Sequence, residues 1–320
     1  MNKICVIGVY FGVLPKYFSL WYKSCQNNPE VDFIIFTDND IPEAENIKCH
    51  KTTLKEIKDL ASNVLGFEAC LNKPYKCCDY RPLYGKMFAK YIERYDYWGH
   101  CDFDVIFGDI MKFCNEYNLH NYDKFLTLGH LSLYRNTNEV NERYKCDGAT
   151  YDYLTTCKTD KACIFDEIIG IGSIFIKNKF PIFTKKIFAD ISCIYYRYRI
   201  VETYQLDEKP KNYKWQIFVW ENGKVYREYI LKNRLYKEEY IYIHFKKRPN
   251  YDVNFNADEC KSFYITNKGF IEKHGQTTKK EIRKYNKYFG VLYEWFENIG
   301  VVFKAYFEWA INKIKRVFGK

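Results

Sequence analysis

The stretch Tyr95–Asp109 constrains the fold more than any other part of this 320-residue sequence. An apolar, aromatic run leads into the D-x-D triplet Asp102–Asp104, and a second apolar run leads from it to a Gly-Asp pair. This pattern predicts a buried strand that delivers two carboxylates to its C-terminal end, where open α/β sheets bind their ligands. Because Mg²⁺ and Mn²⁺ prefer oxygen ligands, two carboxylates one residue apart can share one divalent cation.

A second D-x-D triplet, Asp38–Asp40, shows that the motif alone is weak evidence. An isolated triplet of this kind is more often a solvated loop or the N-cap of a helix. Asp102 and Asp104 lie between two apolar runs, so their charges need a partner. We therefore assign the metal to Asp102 and Asp104. Such a cation usually takes its remaining ligands from water and from substrate phosphates, which indicates a nucleoside diphosphate.

Strands and helices alternate in the first part of the sequence. The hydrophobic pattern predicts strands at 3–9, 32–37 and 46–50, with helices at 14–25 and 53–64 between and after them. This alternation is typical of a parallel sheet flanked by helices. Later in the chain, Asn222-Gly223 predicts a hairpin with a type I′ turn.

Several ordered motifs resemble those of a known family. The letters W-G-H-x-D-x-D-x-x-x-G-D, which begin at Trp98, are similar to the signature of bacterial GT-A-type glycosyltransferases found with capsule and surface-polysaccharide genes. D-Y-R-P-L-Y-G from Asp79 and G-H-L-S-L-Y-R-N from Gly129 resemble further motifs of this family, as do residues 220–224 and 243–248. The resemblance covers roughly residues 3–250. It implies a GT-A-like, Rossmann-like α/β fold and a nucleotide-sugar-dependent transferase of the hexosyltransferase type.

The resemblance also suggests roles for the donor-binding residues. Tyr10 and Asp38, at strand ends, are placed to contact a base and a ribose, although a satisfied turn aspartate is a close alternative for Asp38. Asp79 and Arg81 precede an expected helix that starts at Pro82, and a helix N-terminus with an arginine nearby is a natural anion site. The alternative is an aspartate N-cap with a surface arginine.

We expect His244 to complete the metal site or to bind a phosphate. It ends a strand and is followed by three cations, although a lone histidine is usually a satisfied polar residue. In the proposed arrangement Asp104 holds Mn²⁺ or Mg²⁺, while Asp102 holds the cation or the ribose. Lys247 or Arg248 would neutralise the departing diphosphate.

Asp166 and Glu167 are candidates for the acceptor side of the site. An inverting transfer needs a carboxylate that takes the proton from the attacking hydroxyl. A capping pair at a helix or turn is at least as good an interpretation of these two residues. The stereochemistry of the reaction therefore stays open.

Composition excludes several other classes of protein. The thirteen cysteines show no metal-ligand spacing, which indicates reduced thiols in a cytosol rather than a disulfide framework. The formal net charge is +10, but residues 279–320 alone hold ten Lys or Arg against four Glu. A nearly balanced body with a basic tail makes a nucleic-acid-binding core a poor interpretation. No apolar run reaches the length of a membrane span.

The tail carries an apolar stripe at helical spacing. Its members recur at alternating four- and three-residue steps: Tyr285, Phe289, Leu292, Phe296, Ile299, Phe303, Tyr306 and Ala310. A helix packed on the domain, a coiled-coil helix and an in-plane membrane helix are the three interpretations. The aromatic and basic character favours an interfacial helix on an anionic leaflet. We therefore expect a cytoplasmic protein attached peripherally to the inner face of the cell membrane.

The resulting hypothesis has three segments: a GT-A-like catalytic domain at 1–255, a connecting segment at 256–278 and a basic amphipathic helical tail at 279–320. The protein would move a sugar from a nucleotide-diphosphate sugar, UDP-linked by preference, to a lipid-linked glycan in surface-polysaccharide synthesis. One rival is a nucleotidyltransferase with the same metal pair but a triphosphate donor. Another is an inactive nucleotide-sugar-binding or membrane scaffold protein, which fold resemblance does not exclude.

Overall fold

The computed structural model describes residues 2–193, 197–201, 210–246 and 251–286. These described residues form three β-sheets, of seven, five and three strands, together with short helices. The expected α/β class is confirmed at this level. We call the three sheets the first sheet, the second sheet and the small sheet.

The N-terminal half supplies most of the first sheet. Its elements in chain order are β1 (Ile4–Tyr10), α1 (Phe18–Gln26), β2 (Val31–Thr37), β3 (Ile47–Lys51), α2 (Leu54–Leu65), α3 (Cys77–Tyr80), α4 (Tyr84–Met87), α5 (Ala89–Ile92), β4 (Tyr97–Cys101), β5 (Val105–Phe107), α6 (Ile110–Glu116), β6 (Lys124–Phe125), β7 (Leu131–Arg135), α7 (Asn138–Glu142) and α8 (Tyr153–Cys157).

The C-terminal half supplies most of the other two sheets. Its elements are α9 (Ser173–Lys177), β8 (Ile182–Phe183), β9 (Ala189–Asp190), β10 (Gln216–Glu221), β11 (Lys224–Leu231), β12 (Arg234–Tyr240), β13 (Tyr242–His244), β14 (Ser262–Thr266), β15 (Gly269–Glu272) and α10 (Lys279–Lys284).

The first sheet has the strand order β3-β2-β1-β4-β7-β6-β8. Its first four strands run parallel to one another, whereas β7 is antiparallel to both β4 and β6. The sheet is therefore rich in parallel pairs, as the alternation of strands and helices predicted. The three predicted N-terminal strands are confirmed as β1, β2 and β3, and the helix predicted at 53–64 is α2. Thr53 caps α2 in a capping box with Glu56.

Two predicted helix boundaries are wrong. The helix expected at 14–25 begins only at Phe18, after a turn in which Phe18 N donates to Pro15 O. The helix expected from Pro82 is instead a broken helical segment that starts at Pro74. A short 3₁₀ turn at Arg81–Leu83 interrupts it, since Pro82 has no N–H with which to continue the α-helical ladder.

The second sheet is antiparallel, with the order β12-β11-β10-β14-β15. The hairpin predicted around Asn222-Gly223 is confirmed, and both turn residues have positive φ, 49° and 80°, as a type I′ turn requires. Residues 256–278, expected only as a connecting segment, instead contain β14 and β15. The connecting segment is therefore largely a structural part of this sheet.

The predicted tail begins inside the described part of the chain. Thr278 caps α10 in a capping box with Glu281, and Ile282 is fully buried against the second sheet. Asn286 Nδ2 donates to Gln216 O on β10. The remainder of the tail, residues 287–320, lies outside the described residues, so the predicted amphipathic helix stays a prediction. Among the residues that are described, no helix has both the length and the apolar character needed to cross a bilayer.

The small sheet brings distant parts of the chain together. It has the order β5-β13-β9, and β13 pairs antiparallel with β5 and parallel with β9. The register places His244 opposite Val105, the residue after the D-x-D triplet, and beside Asp190 on β9. The small sheet therefore places His244, from late in the sequence, next to the D-x-D triplet Asp102–Asp104.

Candidate active site

A cleft of about 1090 Å³ opens at the carboxyl ends of β1 and β4. This is the edge where open α/β sheets bind ligands, and the volume is at the upper end for a small-molecule site. The sequence-predicted residues that line it are Tyr10, Asp79, Arg81, Asp102, Asp104, Asp166, Glu167 and His244. Lys247 and Arg248, the other predicted phosphate-binding residues, lie outside the described residues.

Packing around Phe103 fixes the orientation of the D-x-D triplet. The Phe103 ring stacks on Trp21 at 4.4 Å between centroids and contacts Tyr10 at 4.9 Å. A Cβ added to Gly8 would lie only 3.0 Å from this ring, so the glycine gives Phe103 its space. Trp21 Nε1 also donates to the Asp102 carbonyl at 3.1 Å. With the middle residue buried, the two flanking carboxylates point into the cleft.

Asp102, Asp104 and His244 converge in the cleft. His244 Nε2 lies 3.5 Å from Asp104 Oδ1 and 4.0 Å from Asp102 Oδ2. One ligand atom from each of the three residues lies within 4.8 Å of the others. Two carboxylates and one imidazole suit Mn²⁺, and the carboxylates also suit Mg²⁺. The donor set therefore fits the predicted cation, and the structure brings together all three predicted ligands.

Charge pairing changes the titration of His244. Burial alone would lower its pKa, but the Asp104 and Asp190 carboxylates raise the pKa to about 10. The imidazolium satisfies these carboxylates when no metal is bound. Since a metal ligand must be deprotonated, cation binding at this site would release a proton.

Arg81 joins the D-x-D triplet to the second carboxylate pair. This buried guanidinium donates through Nη2 to Asp102 Oδ1, and through Nη1 to Asp166 Oδ2 at 2.8 Å and to Gly129 O at 3.0 Å. Burial opposes ionisation of Asp102, but Arg81 and His244 hold the pKa of that carboxyl well below its usual range. Arg81 is thus not a surface residue, and it holds two acidic side chains in place. Its contact with the nucleotide stays a prediction.

Asp166 and Glu167 form an acidic wall of the cleft. Burial raises the pKa of Asp166 to about 6 and that of Glu167 to about 8, and the charge of Asp166 adds to the second shift. A Cβ added to Gly129 would come within 2.4 Å of Asp166 Oδ2 and 3.0 Å of Glu167 Oε1. The glycine of the G-H-x-x-L-Y-R-N stretch is therefore the residue that lets this wall approach the strand β7 that follows.

Asp79 makes structural contacts at the side of the cleft. It is buried and pairs with Lys76 Nζ at 2.8 Å. Its two oxygens also accept from the backbone amides of Cys163 and Phe165. These contacts engage both carboxylate oxygens, although Asp79 also lines the cleft, and its contact with the donor stays a prediction. Its function is to anchor the loop that leads to Asp166.

The structure places Tyr10 and Asp38, the two residues predicted to contact the base and the ribose, in different surroundings. Tyr10 lines the cleft, and its hydroxyl donates to Val13 O at 2.8 Å. Asp38 is exposed and accepts from Gly12 N at 3.1 Å, which matches the satisfied-turn alternative. The cleft-lining residues within the described part of the chain do not include Asp38. Its contact with a ribose stays a prediction.

Sequence reasoning missed the layer behind His244. Asp190 Oδ1 lies 2.8 Å from His244 Nδ1, and the ring of His130 stacks on His244 at 4.2 Å. His130 belongs to the G-H-L-S-L-Y-R-N stretch, but the sequence predicted no role for it. Burial lowers the pKa of His130 to about 3. Asp190 lies on a two-residue strand with no hydrophobic pattern that could have signalled it.

Comparison with protein families identifies the family of this chain. A family of unknown function, DUF6625, matches residues 6–274. The chain belongs to this family. No curated protein matches the sequence. The matched range of this DUF6625 member runs from β1 to just beyond β15, and it includes all the cleft residues described above. Since the family carries no assigned function, a functional interpretation must come from the site itself.

Proposed function

We propose that this chain is a metal-dependent glycosyltransferase with a GT-A-like catalytic body. The substrate would be a nucleotide-diphosphate sugar, UDP-linked by preference, and the acceptor a glycan. The observation that supports this most is the convergence of Asp102, Asp104 and His244 in a large cleft at the carboxyl ends of the parallel strands β1 and β4. A site of two carboxylates and one imidazole leaves coordination positions for diphosphate oxygens.

In this proposal the residues divide the work of donor binding. Asp104, His244 and Asp102 hold Mn²⁺ or Mg²⁺, and the cation supplies charge stabilisation for the departing diphosphate. Tyr10 lies at the end of β1, where it would contact the base. Lys247 or Arg248, by sequence position, would add positive charge next to His244. Arg81 keeps Asp102 ionised and correctly oriented.

Glu167 is the better of the two candidates for the proton-accepting base. Asp166 is less available as a base, because its Oδ2 already accepts a hydrogen bond from Arg81 Nη1. A general base is most effective when its pKa lies near the working pH, and the pKa of Glu167 is raised to about 8 by burial and by Asp166. We assign Glu167 as the base that accepts the proton of the attacking hydroxyl. Asp166 is the neighbouring carboxylate that helps to raise the pKa of Glu167.

A screen of nucleotide sugars tests the proposal. Release of nucleoside diphosphate should depend on Mn²⁺ or Mg²⁺ and should increase with a lipid-linked glycan acceptor. The same assay with nucleoside triphosphates separates the rival, since a nucleotidyltransferase would release pyrophosphate from a triphosphate and leave UDP-sugars intact. Metal-dependent binding of UDP without turnover of any sugar nucleotide would instead support an inactive binding protein.

The membrane attachment is a separate part of the proposal. Ile282 and Asn286 pack on the second sheet. A truncated variant without the tail should therefore end after Asn286 and not before residue 279, where the sequence predicted that the tail begins. A variant that ends at Asn286 should stay folded and keep activity on a soluble acceptor. It should lose the binding to anionic liposomes that we expect of the full-length protein at low salt. Full-length protein that ignores such liposomes would contradict this attachment.

A further inference from the structure

Two sets of possible metal ligands share His244. One is Asp102, Asp104 and His244, which the proposed function uses. The other is His130, Asp190 and His244, whose ligand atoms likewise lie within 4.8 Å of one another. All three residues of the second set are buried, and His130 and His244 also line the cleft. It either binds a second cation or serves the first site in another way.

The geometry of the second set is that of a hydrogen-bond network. The rings of His130 and His244 stack with 4.2 Å between centroids and 24° between planes. Ring nitrogens bind in the plane of their ring, so two nearly parallel rings direct their nitrogens along separate layers. His130 Nδ1 is also 2.7 Å from the Tyr242 hydroxyl. These contacts disfavour a shared ion.

Charge argues in the same direction. Asp190 Oδ2 lies 3.5 Å from Lys246 Nζ, so a cation already stands next to this carboxylate. Its other oxygen, Oδ1, is 2.8 Å from His244 Nδ1. A divalent ion in the second set would face the lysine and would have to displace the hydrogen bond to His244.

The backbone holds Asp190 and His244 in register. The two residues are paired neighbours on the parallel strands β9 and β13. Ile191 N donates to His244 O at 2.8 Å, on the residue following Asp190. Asp190 is completely buried, so its carboxylate has one fixed orientation toward the imidazole. His244 Nε2 consequently faces the D-x-D triplet, 3.5 Å from Asp104 Oδ1.

We propose that Asp190 is a positioning residue that holds the Nδ1–H of His244 and directs Nε2 to a single divalent cation at Asp102 and Asp104. In metal sites the second ring nitrogen of a ligating histidine commonly donates to a carboxylate, which fixes the tautomer and the ring orientation. The inference rests on the metal site of the proposed function but not on the sugar chemistry. It adds that the two ligand sets that share His244 bind one cation and not two.

The test is a titration of the full-length protein with Mn²⁺ alone, followed by the electron paramagnetic resonance signal of free Mn²⁺. Wild-type protein should bind one Mn²⁺. Asp190→Asn should raise the Kd about 10- to 100-fold, the usual effect of losing such a partner. His244→Ala should raise it at least as much. The double variant should resemble His244→Ala within about twofold, because Asp190 acts only through His244.

Two controls separate positioning from general stability. Asp123→Asn removes a carboxylate that pairs with Arg135 and Arg143 away from the cleft, and it should leave the Mn²⁺ Kd unchanged. At saturating Mn²⁺, the spin-echo spectrum should show coupling to one histidine nitrogen in wild type and Asp190→Asn, and none in His244→Ala. If Asp190→Asn does not fold, ¹⁵N-histidine spectra of wild type with Mg²⁺ decide: Nδ1 of His244 should stay protonated while Nε2 loses its proton.

Four other results on metal binding or His244 protonation would overturn the inference. Two bound Mn²⁺, with one lost in His130→Ala, would make the second set a metal site. Unchanged Mn²⁺ affinity in Asp190→Asn, or an unprotonated Nδ1 with Mg²⁺ bound, would remove the positioning role. No Mn²⁺ binding by wild type would overturn this inference and the metal site together. One Mn²⁺ with the expected variants, but no turnover of any nucleotide sugar, would contradict the proposed function alone.

Discussion

The two D-x-D triplets of this chain follow parallel strands of one sheet and yet have opposite environments. Asp38–Asp40 follows β2 and Asp102–Asp104 follows β4, with β1 between the two strands. The Asp40 side chain is 96% exposed and pairs with Lys51 on the surface. The Asp104 side chain is 10% exposed and faces His244 in the cleft. The same three-letter pattern thus ends in a surface turn in one case and in a candidate metal site in the other.

The residue between the carboxylates accounts for much of the difference. Asn39 turns back on its own loop, where its amide donates to Thr37 Oγ1 and Gly12 O. Phe103 instead packs under the sheet against Trp21 and Gly8. A buried middle residue fixes both neighbouring carboxylates, whereas a polar one lets them stay in solvent. The triplet therefore becomes informative when its central residue is apolar.

The largest contrast should appear when one carboxylate of each triplet is neutralised. Asp104→Asn removes a charged ligand from the cation site, and metal stabilisation of a leaving group is worth several kcal/mol. We expect turnover of the nucleotide sugar to fall by about 10³-fold or more, together with loss of metal-dependent nucleotide binding. Asp40→Asn is the matched substitution in the exposed triplet and should change neither. Near-normal, Mn²⁺-dependent activity in Asp104→Asn would remove the basis of the proposed site.

The ion pairs of the two triplets should differ in their contribution to stability. Arg81→Met leaves the buried Asp166 and the partly buried Asp102 without their cation, and the loss of one partner of a buried ion pair typically costs about 3–5 kcal/mol. Lys51→Ala removes the exposed partner of Asp40, which is worth about 1 kcal/mol or less. Urea unfolding at pH 7.5 in EDTA measures both. Equal effects of the two substitutions would show that burial does not distinguish the triplets energetically.

A pH-dependent difference is expected from the acidic wall next to Arg81. The folded-state pKa of Glu167 is raised to about 8 by burial and by Asp166, above the value of about 4.3 in an unfolded chain. Its contribution to stability is therefore present below pH of about 4 and is lost as the pH rises toward 8. Glu167→Gln should make the unfolding free energy fall less between pH 5 and pH 8. Asp40→Asn is the control, and an unchanged slope in Glu167→Gln would contradict the assignment.

Local sequence patterns were sufficient for the parts of the fold that depend on neighbouring residues. The first three strands, the capped helix at Thr53 and the hairpin at Asn222-Gly223 all have their signals within a few positions. The D-x-D triplet and His244 could be selected in the same way, since each ends an apolar run. Their convergence depends on the pairing of β13 with β5, which places His244 opposite Val105.

The remaining features depend on contacts that no local pattern encodes. Asp190 is 54 positions from His244, and the two meet only because β9 and β13 pair. Arg81 lies in an interrupted helical segment, where its burial between two carboxylates depends on residues 102 and 166. The role of Asp79 likewise depends on a loop at 163–165. Sequence reasoning named Arg81 and Asp79 but could not assign their partners.

The smallest effect concerns Asp38, which connects the exposed triplet to the cleft. Its carboxylate accepts from Gly12 N at 3.1 Å, and Gly12 lies between cleft-lining residues Phe11 and Val13. Asp38→Asn weakens a charge-assisted hydrogen bond at an exposed site, worth about 0.5–1 kcal/mol. We expect the Kd for UDP, measured calorimetrically with Mn²⁺ present, to rise about two- to fivefold. The Mn²⁺ affinity should stay the same. Asp40→Asn, without a contact to Gly12, should leave both constants unchanged. An unaltered Kd for UDP in Asp38→Asn would mean that the exposed triplet has no part in the site, and would make the contrast between the two triplets complete.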